Sequence, residues 1–118
     1  ARTPGPLEEA AADIAGAGPG RVLARPLDVT DADAAVRFVD GVARELGGLD
    51  VVVNNVGGSR RKPFEETTDE DWRELLELNL LSGLRIARVA IPHLKARGGG
   101  SIVFIASLWG REVGGPGL

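Results

Sequence analysis

Four polar positions stand where a protein built of alternating strands and helices would do its chemistry. Asp28 directly follows the apolar run at residues 22–27. Asn54-Asn55-Val56-Gly57-Gly58 follows the run at 49–53, Ser107 follows the run at 101–106, and Asn79 interrupts a leucine-rich helical pattern. In an open parallel sheet, ligands bind just beyond the carboxyl ends of the strands. The three strand-end groups would therefore line one rim. A carboxylate there accepts hydrogen bonds, and a carboxamide grips a ribose or a neighbouring backbone.

Each position also has a purely local reading. Asp28 can serve the turn that leads through Val29-Thr30 into the next helix. Asn and Gly both tolerate left-handed backbone angles, so Asn54 to Gly58 can be simple turn chemistry, and serines cap helices everywhere. Asn79 is the most informative. It falls on the stripe defined by Trp72, Leu75, Leu76, Gly83, Ile86, Ala87, Ala90 and Leu94, which predicts an inward-facing amide. A buried amide without partners costs roughly 1–3 kcal/mol, so Asn79 either bonds nearby carbonyls or aims into a site. His93, near a helix end, is expected to be solvated beside the negative end of the helix dipole. Arg60-Arg61-Lys62 reads as a solvated loop cluster, although it can also attract an anionic substrate.

The elements that position these groups follow from periodicity. The runs at 49–53 and 101–106 are short, apolar and β-branched, which predicts parallel strands buried on both faces. The run at 22–27 contains Pro26 and is placed at a strand end or sheet edge. Residues 31–46 carry Ala35, Phe38, Val39, Val42, Ala43 and Leu46 on one helical face, with Thr30 and Asp33 as the expected cap and Gly47-Gly48 as the stop. A long helical pattern begins after Thr67-Thr68-Asp69-Glu70-Asp71 and ends at Gly98-Gly99-Gly100, with a kink or break expected one turn before Pro92. A shorter helix is expected over 6–16, and Gly114 to Gly117 reads as a loop. Leu78, Leu81 and Leu84 widen the apolar face of the long helix, which points to a second buried surface or another subunit. The order predicts right-handed βαβ units, a partial Rossmann-like doubly wound parallel sheet of three strands with flanking helices, as one α/β domain over residues 1–118.

Composition sets the outer limits. The chain has 118 residues, 43% hydrophobic and 26% charged, with a net charge of -3, the mix of a folded domain. No basic face is implied for nucleic acid or an anionic membrane. Cysteine is absent, which removes disulfides, thiolate metal sites and cysteine nucleophiles. No apolar run approaches the ~20 residues of a membrane span and no signal peptide is visible, so a cytoplasmic location is expected. The chain opens Ala1-Arg2-Thr3-Pro4 and contains neither Met nor Tyr. It reads as a piece of something longer.

Taken together, these residues resemble the short-chain dehydrogenase/reductase family over essentially the whole chain. Asn54-Asn55-Val56-Gly57 is similar to the family's Asn-Asn-Ala-Gly, with Val56 in place of alanine. Asn79 and Ser107 follow in order and at the separations of the family's catalytic asparagine and serine. Asp28-Val29 matches the pair whose acid contacts the adenine ring. The resemblance implies hydride transfer between a nicotinamide cofactor and a small-molecule alcohol or carbonyl substrate. Within it, Ser107 would bond the reacting oxygen and Asn79 would hold a water in the proton relay. Asn55, Val56 and Gly57 would lie along the cofactor. Arg2 stands where a guanidinium meets the 2′-phosphate of NADP, which favours NADP(H) over NAD(H).

The family's glycine-rich loop belongs upstream of Ala1 and its Tyr-x-x-x-Lys pair downstream of Leu118, so this chain alone is expected to be inactive. The intact parent is expected to be a homo-oligomer, a dimer or tetramer. In the family's strand order, residues 22–27 and 49–53 lie three spacings of ~4.8 Å apart, a gap of ~14 Å. That gap predicts loose packing or a non-native pairing in the isolated chain. The alternative reading is a non-catalytic nucleotide-binding α/β module; a receiver-like module would need an acidic cluster at its first strand end, which Asn54, Asn55 and Ser107 do not supply.

Overall fold

A computed structural model describes residues 1–108; the loop expected at Gly114 to Gly117 lies outside them. Helix α1 (Pro4–Gly16) begins with proline in its first turn, where the missing N–H has no intrahelical partner to lose. Helix α2 (Ala32–Leu46) is capped by Asp31, whose carboxylate accepts from the Ala34 N–H at 2.9 Å. The cap is thus one residue later than expected, because Thr30 is engaged by Asp28 instead. Gly47, at φ 84°, closes the helix in the left-handed region that glycine enters without steric cost.

Strand β1 (Val51–Asn54) and strand β2 (Ser101–Phe104) pair in parallel, with Val52 opposite Ile102 and Asn54 opposite Phe104. Between them run helix α3 (Asp69–Leu76), a π-helical turn (Glu77–Leu81) and helix α4 (Ser82–Ala96). The α3 start is a capping box: Thr68 and Asp71 each satisfy the other's backbone N–H, as the cluster of caps and acids predicts. Helix α2 packs on α4, and α4 packs on one face of the sheet. Val39, Ala90 and Leu94 form the centre of this core, flanked by Phe38, Val52, Ile86 and Ile102.

Three expectations are corrected. Residues 22–27 form no strand. Pro26 has no N–H to donate, and the segment's backbone contact is a single bond from Leu27 N–H to the Ala1 carbonyl at 2.8 Å. The sheet therefore has two strands among the described residues, not three. Second, β1 and β2 are covered on one face only. Val51, Val53 and Val103 are exposed on the other, where no described helix lies. Third, the long helical pattern does not break ahead of Pro92; α4 runs through it. Pro92 is on the exposed side, where the carbonyl it deprives of a donor can turn to water. The discontinuity falls instead at the π turn, around Asn79.

Candidate active site

The alternation of a strand sends Val52 and Asn54 to the same face, so Asn54 turns under the sheet end toward α4. Gly83 gives it room: a Cβ there would stand 2.9 Å from the Phe104 ring and 3.8 Å from Asn54 Cγ. A cavity of about 30 Å³ remains between these elements, lined by Val29, Asn54, Val56, Asn79, Ser82 and Gly83 among others. That volume suits about one water molecule. Asn54 Nδ2 is buried here and has no hydrogen-bond partner.

Asn79 is brought to the same place, in an unexpected setting. It is exposed rather than on a buried stripe; that stripe is half-buried from Gly83 and Ile86 onward and fully buried only at Ala90 and Leu94. Both ends of its carboxamide are nonetheless engaged. Nδ2 donates to the Gly58 carbonyl at 2.9 Å, and Oδ1 accepts from the Gly58 N–H at 2.8 Å. A Cβ on Gly57 would come within 3.3 Å of Asn79 Oδ1, so the absence of a side chain there keeps the grip uncrowded.

The loop that carries Gly58 is fastened at its other end too. Lys62 Nζ donates to Asp71 at 2.8 Å, and Arg60 pairs with Asp71 at 3.6 Å and with Glu74. Arg60 and Lys62 are thus tied to α3 while still partly exposed, and Arg61 is exposed. The Lys62 ammonium, with the Thr68 backbone and hydroxyl donors, holds the Asp71 carboxyl well below the usual carboxylate range.

On the other side, Asp28 accepts from the Thr30 N–H at 3.0 Å and from its hydroxyl at 2.7 Å, and Arg2 stands 3.7 Å away. The Thr30 hydroxyl, then its backbone N–H, lower the Asp28 pKa, with a smaller contribution from Arg2. The local turn reading of Asp28 is therefore realised. Arg2 remains 77% exposed.

The rim is assembled in part. Val29, Val56 and Asn79 line the cavity with Asn54. Asn55 and Gly57 are exposed just beyond β1, and Ser107 is exposed beyond β2 at the same end of the sheet, without lining the cavity. His93 is not simply solvated, since its Nε2 lies 2.7 Å from Asp40 Oδ1 and links α4 to α2. Among the described residues no cluster of three or more His, Asp or Glu could hold a metal, and no helix is long and apolar enough to cross a membrane.

The sequence reading missed Ser82. Its residue is only 2% exposed, and its hydroxyl donates to the Leu78 carbonyl at 2.7 Å. The available signal was a serine inside a helix beside Gly83, a type that back-bonds to the carbonyl four residues earlier. Of the three leucines expected to widen the apolar face, Leu81 and Leu84 are exposed and Leu78 is half-buried.

The family model described as short chain dehydrogenase matches residues 1–117. The chain is 36% identical over 91 residues to gluconate 5-dehydrogenase of Gluconobacter oxydans, covering 77% of this chain and 35% of that protein. It is 36% identical over 98 residues to D-beta-hydroxybutyrate dehydrogenase of Rhizobium meliloti, covering 83% and 38%. A short-chain dehydrogenase crystal structure from Mycobacterium smegmatis superposes with a TM-score of 0.89 at 32% identity, over 98% of this chain and 49% of the other. One from Streptomyces avermitilis gives 0.80 at 37% identity, over 96% and 40%. The chain thus spans between about a third and a half of the length of these relatives. With the family model matched from Ala1 almost to the last residue and the Rossmann-type neighbours superposing on it, the chain belongs to the short-chain dehydrogenase family of oxidoreductases.

Proposed function

We propose that the chain serves an oxidoreductase that moves hydride between NADP(H), or less favourably NAD(H), and a small-molecule alcohol or carbonyl carbon. The observation that carries this reading is the convergence of Val29, Asn54, Val56 and Asn79 on one cavity at the carboxyl ends of the two parallel strands, where open α/β sheets take their ligands. The cavity itself is water-sized, so a dinucleotide would lie across the open rim above it.

The residues present suit such a cofactor. Arg2 extends an exposed guanidinium, a donor fork matched to a 2′-phosphate. Asp28 and Val29 would meet the adenine, and Asn55, Val56 and Gly57 offer an exposed stretch of backbone for the ribose side. When bound, the nicotinamide supplies or accepts the hydride. Ser107 would donate a hydrogen bond to the substrate oxygen and stabilise its developing charge. Asn79, by holding Gly58, would keep the loop after β1 in shape beside it. The sequence has no tyrosine, so within this reading the acid/base lies outside the chain, and the 118 residues alone turn nothing over. The same absence favours a second reading of the chain as such, a nucleotide-binding module without chemistry. A cytoplasmic setting and a homo-oligomeric parent go with the first reading; the exposed Leu81 and Leu84 support the latter point.

The test extends the chain upstream through a glycine-rich loop and downstream through a Tyr-x-x-x-Lys pair, and follows nicotinamide absorbance with simple alcohols and ketones. Ser107→Ala is expected to lower kcat by about a hundredfold or more, Arg2→Ala to weaken NADPH more than NADH, and the bare chain to show no turnover. Turnover by the bare chain, or a Ser107→Ala variant as fast as its parent, would overturn the reading.

A further inference from the structure

The π turn at Glu77–Leu81 is the least ordinary piece of backbone among the described residues, and it carries Asn79 at its middle. A π turn inserts one extra residue into an α-helix and breaks the regular chain of carbonyl acceptors; such turns persist only where something nearby compensates. Two side chains do so here. Inside, the Ser82 hydroxyl, 2% exposed as a residue, donates to the Leu78 carbonyl at 2.7 Å. Outside, Arg85 forks onto both carboxylate oxygens of Glu77, bridging the full length of the turn. The Arg85 donors lower the Glu77 pKa, and the Glu77 carboxylate raises that of Arg85.

We infer that Ser82 is a positioning residue for Asn79: its hydroxyl fixes the register of the π turn, and that register sets the Asn79 carboxamide on both backbone groups of Gly58. Two observations join Ser82 to Asn79. Both line the same cavity, and the carbonyl Ser82 holds belongs to Leu78, the residue immediately before Asn79. Without the hydroxyl, the Leu78 carbonyl loses a buried donor, and the helix regains it most simply by relaxing toward α-geometry. A one-residue change of register turns a helical side chain by ~100°, which carries Asn79 off Gly58. The role of Ser82 adds to the proposed function only through Asn79, and its test does not depend on turnover.

The experiment is amide exchange and side-chain amide NMR on the 118-residue chain. Ser82→Ala is expected to speed exchange of the Gly58 N–H by roughly fivefold or more, the range of one net hydrogen bond, and to shift the Asn79 side-chain amide resonances. The Ser101 N–H, bonded to the Asp50 carbonyl at the far end of the sheet, is expected to keep its parental rate. Ser82→Thr retains the hydroxyl and is expected to restore Gly58 protection. Unchanged Gly58 and Asn79 signals in Ser82→Ala would overturn the inference. So would equal loss at Gly58 and Ser101, the mark of a general packing role. Should Ser82→Thr be too bulky to fold, the Gly58 against Ser101 comparison in Ser82→Ala decides alone.

Discussion

Asn79 binds Gly58 as one strand binds another: its Nδ2 donates to the Gly58 carbonyl at 2.9 Å and its Oδ1 accepts the Gly58 N–H at 2.8 Å. A single side chain thereby supplies both halves of a backbone pairing. It joins the loop after β1 to the π turn between α3 and α4.

Asn79→Leu removes both bonds at an exposed site, where water partly replaces them. A loss of about 1 kcal/mol is expected in urea denaturation, with exchange accelerated in the loop at 55–63 and not in the core around Ala90.

The Asp71 carboxylate gives a pH dependence with a definite sign. Its folded pKa is depressed, first by Lys62 and then by Thr68, so its contribution is complete above the unfolded value of about 3.9. That contribution is lost as pH falls through the lower folded value. Thermal melts of the parent and of Asp71→Asn are expected to differ at pH 6 and to converge as the solution is made strongly acidic.

Gly100 precedes β2 with its Cα pressed on neighbouring backbone. A Cβ there would lie 2.4 Å from the Asp50 carbonyl oxygen and 2.7 Å from Leu94 Cδ2. Gly100→Ala is expected to destabilise by about 2–3 kcal/mol through overpacking, read as a fall in the urea midpoint. Gly18→Ala, with open space around it, serves as the control and is expected to change little.

The cavity beside Asn54 is expected to hold one ordered water. Asn54 Nδ2 has a proton to donate and no partner, and the space of about 30 Å³ is enough to admit a water. A high-resolution crystal structure with density within hydrogen-bond reach of Nδ2 would bear this out; an empty cavity would refute it.

Much of this architecture was legible in the sequence, for identifiable reasons. The α2 stripe of Ala35, Val39 and Ala43 is buried as its spacing requires, and the glycine stops and the Thr68 cap fall where their chemistry puts them. Those signals are local. What failed was non-local. A strand at 22–27 needs a ladder neighbour, and Val51 and Val53 need a covering layer; neither requirement can be read from the residues themselves. The π turn was hidden because Leu78, Asn79 and Ser82 fit an ordinary helix equally well in pattern, and only the backbone bond from the Ser82 N–H to the Glu77 carbonyl, five residues earlier, distinguishes the two. At the rim, Asn79 was found by its oddity among leucines. Asn54 emerged as the inward-turning member of its pair only once the pleat was known.

The sheet has a bearing on how this chain behaves in a test tube. Among the described residues β1 and β2 are each flanked by a strand on one side only, and Val51, Val53 and Val103 lie bare above them. Open ladder edges joined to a greasy surface recruit further copies. Light scattering should therefore climb with protein concentration and drop again when lysines are introduced at positions 51 and 53.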